Sequence, residues 1–421
     1  MVMPVLAISA KEYPDYTAFL VGLAIGGYGL TQALLQIPMG VLSDKIGRKP
    51  IIIGGLLIFA IGSMVAATAD TLVWVVIGRF LQGAGAIAGA IMALAGDLSR
   101  EKQRPKVMAV IGISIGFSFY LALLIGPVIA AKFGLSGIFL LTGVLAFLCV
   151  FLVIFVVPNA KNIAPIGDTL PVIQDLKSLV SHSDLARLNI SVLFLHMLIT
   201  LLFVQIPLLL VDLNWPLAKH WQAYLVVLVA SVIGLLGLMA AASKYKNAVM
   251  QLSVGGLAVV FLCMVFSQNS LFYLILLISL FFTCFNYLEA NFPAMVSNIA
   301  PAGKKGSAMG IYASFQFFGA FIGGVLSGSI SELLGIQWVF VLASVLCCIW
   351  LVLIKGLNAT NRLKRYTLKI SKQTTSLALQ QLSELKGVVD ITVVPDEQVM
   401  YLKAEQHFDI QQARLVLNIK E

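Results

Sequence analysis

The chain has 421 residues, of which 60% are hydrophobic and only 11% are charged. A soluble globular protein carries about 25% charged residues, so this chain has too few polar side chains to cover a large water-facing domain. The 28 basic and 19 acidic residues lie in short clusters between long apolar runs, which argues against nucleic-acid binding and excludes soluble enzymes, disulfide-stapled secreted domains and disordered tails. The composition predicts a polytopic membrane protein.

The chain opens with ten apolar residues, Met1–Ala10, which are too few to cross a bilayer and precede a polar loop at Lys11–Asp15. We interpret them as the end of a helix whose beginning is missing from this sequence. Eleven apolar stretches of about 20 residues or more follow, and each is long enough to cross the bilayer. They are Tyr16–Ser43, Pro50–Ala69, Thr71–Gly96, Val107–Ala131, Phe133–Ala160, Leu188–Val211, His220–Ser243, two within Asn247–Leu288, Gly306–Ser331 and Leu333–Ile354.

The loop after the first span reads GVLSDKIGRKP from Gly40 to Pro50. Gly40 allows a neighbouring helix to approach closely, and Gly47 permits a tight turn. The Asp44 carboxylate suits a helix N-terminus, where free N–H groups favour an anion. The Arg48 guanidinium presents a planar fork that fits a carboxylate. Ordinary loop charge would not require the glycines and the aspartate at this spacing.

Arg79 interrupts the third span and begins the sequence RFLQGAGA. An arginine inside a span is costly and normally faces a cavity or a partner. A continuous helix places six residues on one face, with its two ends about 27 Å apart. They are Arg79, Gln82, Ala86, Ala90, Ala93 and Asp97. Asp97 is then expected at the same membrane surface as Arg48. The two could form a tether alone, but we expect a tether that also biases the inward/outward equilibrium.

Glu289 is the only acidic residue well inside a predicted span, and it shares a helical face with Asn286 and Pro293. Such a carboxyl group is a natural proton carrier, because burial favours its neutral form and a partner favours its charged form. His196 titrates near neutral pH, and it is either a second proton group or a histidine with no role in transport. Polar residues along the first full span are expected to line a cavity or to hold helices together. They are Tyr28, Gln32 and Gln36.

Lysine and arginine are distributed unevenly between the loops. Including the tail, 24 of the 28 lie on the side of the loop at Lys45–Lys49, whereas three, Lys11, Lys132 and Lys219, lie on the other side. We call these two surfaces the basic face and the opposite face. The positive-inside rule predicts that the basic face and the C-terminus are cytoplasmic.

Domain boundaries follow from the spans and from the change of composition after residue 356. We predict an N-terminal bundle at 1–157, a cytoplasmic linker at 158–187, a C-terminal bundle at 188–356 and a tail domain at 357–421. Alternation and helical periodicity predict a β-α-β-β-α order in the tail, which resembles a small ferredoxin-like domain. Its elements are Tyr366–Ile370, Thr375–Lys386, Val388–Val394, Val399–Lys403 and Ile410–Ile419. The tail contains no cysteine, so no bound metal is expected there.

Two motifs resemble signatures of the major facilitator superfamily: the loop GVLSDKIGRKP and the element RFLQGAGA at Arg79. With the tail, they resemble the YajR-like transporters of the drug/proton antiporter branch. This resemblance implies an all-α membrane protein of two six-helix bundles, with the first helix truncated, and a small cytoplasmic α+β ferredoxin-like domain. Gly126-Pro127 resembles part of an antiporter motif whose last two glycines are alanines here, so it favours antiport only weakly.

The resemblance implies a secondary active transporter, not an enzyme, in the cell inner membrane, where it exports small molecules against protons by alternating access. Its expected partners are a small-molecule substrate, protons and the lipid bilayer; the oligomeric state stays open. A metabolite symporter or facilitator and a transporter-shaped sensor are the alternatives. Asp44 is expected to latch onto the N-terminus of the span Gly306–Ser331, near Gly306, when the two halves close at the cytoplasmic side.

Overall fold

The computed structural model describes residues 2–99, 103–158, 173–266, 270–301, 304–357, 364–369, 376–394, 399–404 and 408–417. The helices of the first half are α1 (Met3–Ser9), α2 (Ala18–Ile46), α3 (Arg48–Ala67), α4 (Leu72–Ala84), α5 (Ala88–Leu98) and α6 (Arg104–Phe155). Those of the second half are α7 (Ile173–Val180), α8 (Ser183–Asp212), α9 (His220–Met264), α10 (Leu271–Ile299), α11 (Lys305–Leu333) and α12 (Ile336–Ile354). Residues 159–172 of the predicted linker and residues 267–269, between the two spans within Asn247–Leu288, lie outside the described residues.

The described helices include nine that are long and apolar enough to cross a membrane, when α4 and α5 are taken as one. Two of the nine are too long for one crossing, because 52 residues of α6 measure about 78 Å and a bilayer core is about 30 Å thick. The backbone of α6 leaves the helical region at Gly134, with φ 65° and ψ −170°, and that of α9 does so at Tyr245. The described residues therefore form eleven crossing segments, as the apolar runs predict.

The predicted continuous helix from Thr71 to Gly96 is wrong in one respect, because α4 ends at Ala84 and α5 begins at Ala88. The break falls at Gly85, whose backbone packs against the backbone of Gly55 on α3. Glycine has low helix propensity and permits this close approach. Arg79 and Asp97 consequently lie on two helices and do not share one uninterrupted face.

The two halves pack together through α2 and α11, which run antiparallel at close range. Gly22 and Gly26 on α2 meet the backbone of α11 at Gly324 and Phe321, and Gly328 meets Ala18. Any side chain larger than hydrogen at Gly22 would collide with the facing backbone. These residues lie at the opposite-face ends of both helices, so small residues hold the halves in contact there.

Along α6 and α9, the burial of side chains decreases from the opposite face toward the basic face. On α6, Leu123 is 5% exposed and packs in the core of the second half, whereas Ile113, nearer the basic face, is 71% exposed. On α9, Val227 is 4% exposed and Ile233 is 66% exposed. The opposite-face ends of these helices are thus packed between the halves, and their basic-face ends are not.

The tail contains β1 (Lys364–Lys369), α13 (Ser376–Ser383), β2 (Val388–Val394), β3 (Val399–Ala404) and α14 (Ile410–Val416). The strands form an antiparallel sheet in the order β1-β3-β2. Leu382 of α13 and Ala413 of α14 pack against Leu368, Met400 and Leu402 of the sheet. The type and order of these described elements agree with the sequence prediction.

Candidate functional site

The loop signature builds an ion-pair cluster at the basic face. Arg48 donates from Nε to Asp97 Oδ2 at 3.0 Å, and its NH2 group lies 3.4 Å from Asp44 Oδ1. A third nitrogen of the same guanidinium donates to Ser43 Oγ at 3.2 Å. The Asp97 side chain is 2% exposed, whereas that of Asp44 is 29% exposed. The structure therefore brings together the predicted tether, Arg48 and Asp97, and leaves Asp44 accessible.

Glycines and a lysine fix the position of this cluster. Gly47 separates α2 from α3 at a positive φ of 107°, a conformation that favours glycine and confirms the predicted tight turn. Gly40 is buried and its carbonyl accepts the Ser43 hydroxyl at 2.7 Å. Lys49 donates to the carbonyl of Val157 at 2.8 Å, which places a cation at the C-terminal end of α6.

Arg79 lies inside the first half and is 8% exposed. Its Nε donates to the carbonyl of Ala24 on α2 at 3.0 Å, and its NH1 donates to Gln82 Oε1 at 2.7 Å. The Gln82 amide donates in turn to Ser63 Oγ on α3 at 2.7 Å. The guanidinium also lies 5.0 Å from the centre of the Tyr28 ring, a cation–π distance. This network, which we call the Arg79 cluster, joins α2, α3 and α4.

The polar residues predicted along α2 are also placed in the interior. The Gln32 amide donates to the Tyr28 hydroxyl at 2.8 Å, one turn away. Gln32 and Gln36 are 4% and 6% exposed, and the structure gives the carbonyl oxygen of each amide no hydrogen-bond partner. Gln36 lies beside the backbone of Gly89 on α5.

The second half contains a different polar cluster, formed by Glu289 on α10, His196 on α8 and Gln316 on α11. The Gln316 amide nitrogen lies 2.7 Å from His196 Nε2 and 3.4 Å from Glu289 Oε1, so it can donate to both. The His196 ring nitrogen is 3.8 Å from Glu289 Oε2. We call these three residues the Glu289 cluster. The structure thus brings together the two titratable groups that the sequence singled out.

Two polar atoms of this region are buried and have no hydrogen-bond partner among the described residues. They are Glu289 Oε2 and the hydroxyl of Tyr312, which feels the charge of Glu289. The Glu289 side chain as a whole is 34% exposed. A partly exposed carboxyl group that is incompletely bonded can take up a proton or a ligand.

Asn286, one turn before Glu289, connects the two halves. Its amide donates to the hydroxyl of Tyr120 on α6 at 2.7 Å. Sequence reasoning missed Tyr120 because no local signal distinguishes one tyrosine in an apolar span. It also missed the α2–α11 contact, although the four-residue spacings Gly22–Gly26 and Gly324–Gly328 are a sequence signal for close helix packing.

The described part of the chain contains no group of three or more His, Cys, Asp or Glu side chains positioned to hold a metal ion. The predicted site residues instead form three polar clusters, two within the first half and one within the second. The cluster at Glu289 lies beside Asn286, whose bond to Tyr120 crosses between the halves. A solute that lies between the halves would contact this region.

Comparisons with known proteins agree with this architecture. A family model described as Major Facilitator Superfamily matches residues 1–285 and, in an overlapping match, 239–389. The inner membrane transport protein YajR of Escherichia coli (strain K12) is 36% identical over 98% of this chain and 93% of its own length. The multidrug resistance protein MdtL of the same species is 29% identical over 46% of this chain and 48% of its own length.

A solved structure with a similar fold is that of a bacterial homologue of the human lysosomal transporter Spinster, in an inward-facing and occupied conformation. It covers 84% of this chain and 92% of its own, with a TM-score of 0.67 and 12% sequence identity. At this identity the likeness concerns the fold alone. The arrangement of the helices in two packed halves is therefore shared well beyond the range of sequence similarity.

Proposed function

Since the chain belongs to the major facilitator superfamily and is a transporter, we propose that it is a proton-coupled exporter of small molecules that works by alternating access. The name of its relative YajR favours the inner membrane as its location. The distribution of lysine and arginine favours a cytoplasmic basic face and a cytoplasmic C-terminus. No nucleotide-binding loop occurs in the sequence, and an ion gradient is then the available energy source. A proton crossing 100 mV supplies about 2.3 kcal/mol.

The observation that carries proton coupling is that Oε2 of Glu289 is buried, has no hydrogen-bond partner among the described residues and has His196 as its titratable neighbour at 3.8 Å. Ionised carboxylates inside a membrane are costly and normally mark proton or substrate pathways. Gln316 stabilises the ionised form through Oε1, whereas a proton on Oε2 would find room there without breaking that bond. His196 Nε2 lies 3.8 Å from Oε2, so a protonated His196 would form an ion pair with the ionised carboxylate. Glu289 can therefore change its charge while the surrounding contacts remain.

The direction in which the halves are packed supports alternating access. Small residues on α2 and α11 hold the opposite-face ends together, and the basic-face ends of α6 and α9 are exposed. This arrangement is that of a transporter closed toward the outside and accessible from the cytoplasm. The Asp44 carboxylate, which pairs with Arg48 here, would contact the N-terminus of α11 only when the basic face closes.

We propose for the tail a ferredoxin-like domain at 357–421 with a regulatory or assembly role. The sheet order β1-β3-β2, with both pairs antiparallel and α13 and α14 packed on the sheet, supports this fold. The sequence also favours bundles at 1–157 and 188–356 joined by a linker at 158–187. Two bundles around a central site are a common construction of secondary transporters.

The decisive experiment measures pH-gradient-driven uptake of test compounds, with a proton readout, in inside-out vesicles. We expect Glu289→Gln to abolish gradient-driven flux while inserting normally, because an amide cannot bind and release the proton. Glu12→Gln, in the exposed loop before α2, serves as the matched control and should retain full flux. Full proton-coupled transport by Glu289→Gln would remove Glu289 from the mechanism.

A second candidate, a metabolite symporter or facilitator, is favoured by Ala130 and Ala131, which replace the two glycines of the antiporter motif. The same vesicles separate the two functions through the direction of proton movement. Antiport moves protons out of an acidified vesicle as the substrate enters, symport moves both together, and facilitation moves no proton.

A further inference from the structure

We call the opening between the two halves at the opposite face the opposite-face mouth. A carboxylate of the second half forms a hydrogen bond across it. Glu332, in the last turn of α11, accepts the backbone N–H of Phe19, in the first turn of α2, at 2.8 Å. The first N–H groups of a helix have no partner inside the helix, and a negative charge there is also favoured by the helix dipole. The first turn of α2 contains no acidic residue of its own, and its N-cap Thr17 serves a different amide, that of Leu20.

This contact differs from the other carboxylate cap at the same face. Asp15 accepts the backbone N–H groups of Leu72 and Val73 at the start of α4, at 2.6 and 3.0 Å. Although desolvation opposes the shift, these bonds lower the pKa of Asp15. Asp15 and α4 both belong to the first half, so that cap fixes one half internally. The bond from Glu332 joins the two halves, and it must break when they separate at this face.

Glu332 is exposed to solvent from the opposite face. The chain before α2 faces it with Tyr16, a hydroxyl whose pKa is raised by burial and then by the negative charge of Glu332, so Tyr16 stays neutral. On the helices that pack against α11, α2 carries no charged residue before Asp44 and α12 carries none, while α8 ends at Asp212. The charged residue of α10 is Glu289, which lies beside Gln316, about 24 Å along α11 from Glu332, and α7 carries Asp175 and Lys177 in the linker at the basic face. Among the described residues, the Glu332 carboxylate bonds to the helix end of α2.

We propose that Glu332 is a second proton-binding residue of the transport cycle, which holds the opposite-face mouth closed while it is ionised and releases it when it is protonated from that side. The inference rests on the proposed function only for the direction of the gradient. A neutral carboxyl group loses its attraction to the helix dipole and accepts a weaker hydrogen bond. Acid outside the cell then favours the outward-open state in which a proton can reach Glu289.

The test is a distance measurement between spin labels at Thr68 and Gln337, exposed residues at the opposite-face ends of the two halves. The full chain, with its five cysteines replaced, is placed in lipid nanodiscs. The pH is scanned from about 7 to about 3, a range that brackets the ordinary glutamate pKa of about 4.3. We expect acid to raise the population of the longer distance about two- to fivefold, as the typical effect of a charge at a helix N-terminus implies.

Glu332→Gln should give the longer-distance population of the acidic sample at every pH. Asp15→Asn is the matched control, because it removes a cap at the same face within one half, and it should keep the pH response. Gly324→Ala is the reference sample for an open opposite-face mouth, because its added methyl group collides with the backbone of Gly22 and Gly26 and separates the two helices. A pH response in Glu332→Gln equal to that of the parent chain would overturn the proposal.

The distance measurement on Glu332 and the flux measurement on Glu289 can fail independently of each other. Loss of gradient-driven flux in Glu289→Gln with an unchanged distance response supports two separate proton sites. A distance response that depends on Glu332 in a protein that moves no protons supports the mouth contact and contradicts proton-coupled export. Absence of any pH-dependent distance change in the parent chain contradicts the role of Glu332 whatever the flux.

Discussion

The Arg79 cluster and the Glu289 cluster both place a charged side chain inside a membrane bundle, yet their bonding differs. Arg79 is 8% exposed and donates to two acceptors. The amide of the second acceptor, Gln82, donates in turn to Ser63 on a third helix. Glu289 is 34% exposed, one of its oxygens has no partner, and the other is 3.4 Å from its donor. The difference separates a group that holds helices together from a group that is available for chemistry.

The physical reason is the cost of changing state. A buried cation with several good hydrogen bonds has no alternative arrangement of similar energy, because each bond that it loses leaves an unsatisfied acceptor. A partly solvated carboxylate with a free oxygen can gain a proton and lose little. Arg79 was expected to face a cavity from its position in a span; its hydrogen bonds favour a structural role, and Glu289 carries the proposed proton site.

The largest expected effect is the difference in stability between Arg79→Met and Glu289→Met. Removing the guanidinium leaves the acceptors at Gln82 and Ala24 without their donor, at a cost of about 2 kcal/mol. This should lower the thermal midpoint in detergent by about 2 °C, because the entropy of unfolding of a chain of this length is large. Removing Glu289 deletes one oxygen without a hydrogen-bond partner and one that accepts at 3.4 Å, so the midpoint of Glu289→Met should fall less or rise. Arg79→Lys, which keeps the charge but loses the fork, should fall between.

Equal losses of stability in Arg79→Met and Glu289→Met would show that both clusters are structural. The comparison would then offer no guide to function, and the proton site would have to be sought elsewhere. Loss of gradient-driven flux in Arg79→Lys at full stability would instead give the Arg79 cluster a direct part in transport.

The next effect concerns Gln316, which joins His196 to Glu289. Its amide donates to the Glu289 carboxylate at 3.4 Å, and Gln316→Leu removes this hydrogen bond. We expect the pH profile of flux in Gln316→Leu to differ from that of the parent chain, because the ionised carboxylate loses a donor that its neutral form needs less. The measurement is proton-driven flux against pH. Gln205→Leu is the matched control, because it removes another buried amide of the second half, one that bonds to Ser327.

An unchanged pH profile in Gln316→Leu would mean that the 3.4 Å contact to Glu289 does not influence the proton. The same shift in Gln205→Leu would trace the effect to packing of α8 on α11 rather than to the carboxylate. Either result would leave the bonding of Glu289 unrelated to its function.

A smaller effect is expected at Asp44, the partly exposed member of the basic-face cluster. Asp97 is buried against Arg48, whereas Asp44 can exchange Arg48 for the N-terminus of α11. Loss of that contact, which is typically equivalent to about 0.3–1 kcal/mol, should raise cysteine labelling at Ile113 on α6 about two- to fivefold in Asp44→Asn and lower transport. Lys45→Gln is the neighbouring control. Unchanged labelling in both Asp44→Asn and Arg48→Ala would mean that the charges of this loop only set the orientation of the protein in the membrane.

The sequence predicted the parts of the fold that depend on local composition. Eleven apolar runs became eleven crossing segments, because the length of an apolar run is enough to specify a span. The break at Gly85 was not predicted, since it depends on the backbone of Gly55 on a neighbouring helix. The described tail elements were predicted in type and order, the strands from alternation and the helices from helical periodicity.

Only those residues of the candidate site that carry a charge inside a span could be predicted from the sequence. Glu289 and Arg79 stand out because ionisable residues inside spans are few. Their partners do not stand out: Gln316 is one of several amides, and Glu332 at the end of a span looks like ordinary loop charge. Which charged side chain has all of its hydrogen bonds, and which does not, depends on residues that the fold brings together from distant parts of the chain.

The smallest effect is expected from the tail, which extends the comparison to a region outside the membrane. Its described core is built from apolar side chains such as Leu382 and Met400, and it supplies none of the residues of the two polar clusters. Deleting residues 364–421 should therefore leave the flux of the inserted bundle within about twofold and keep its pH profile, while changing regulation or oligomeric state. The deletion is compared with the full chain in a counterflow assay, which needs no gradient. Complete loss of counterflow from a correctly inserted bundle would show that the tail is an integral part of the transport cycle, because neither cluster lies in the deleted segment.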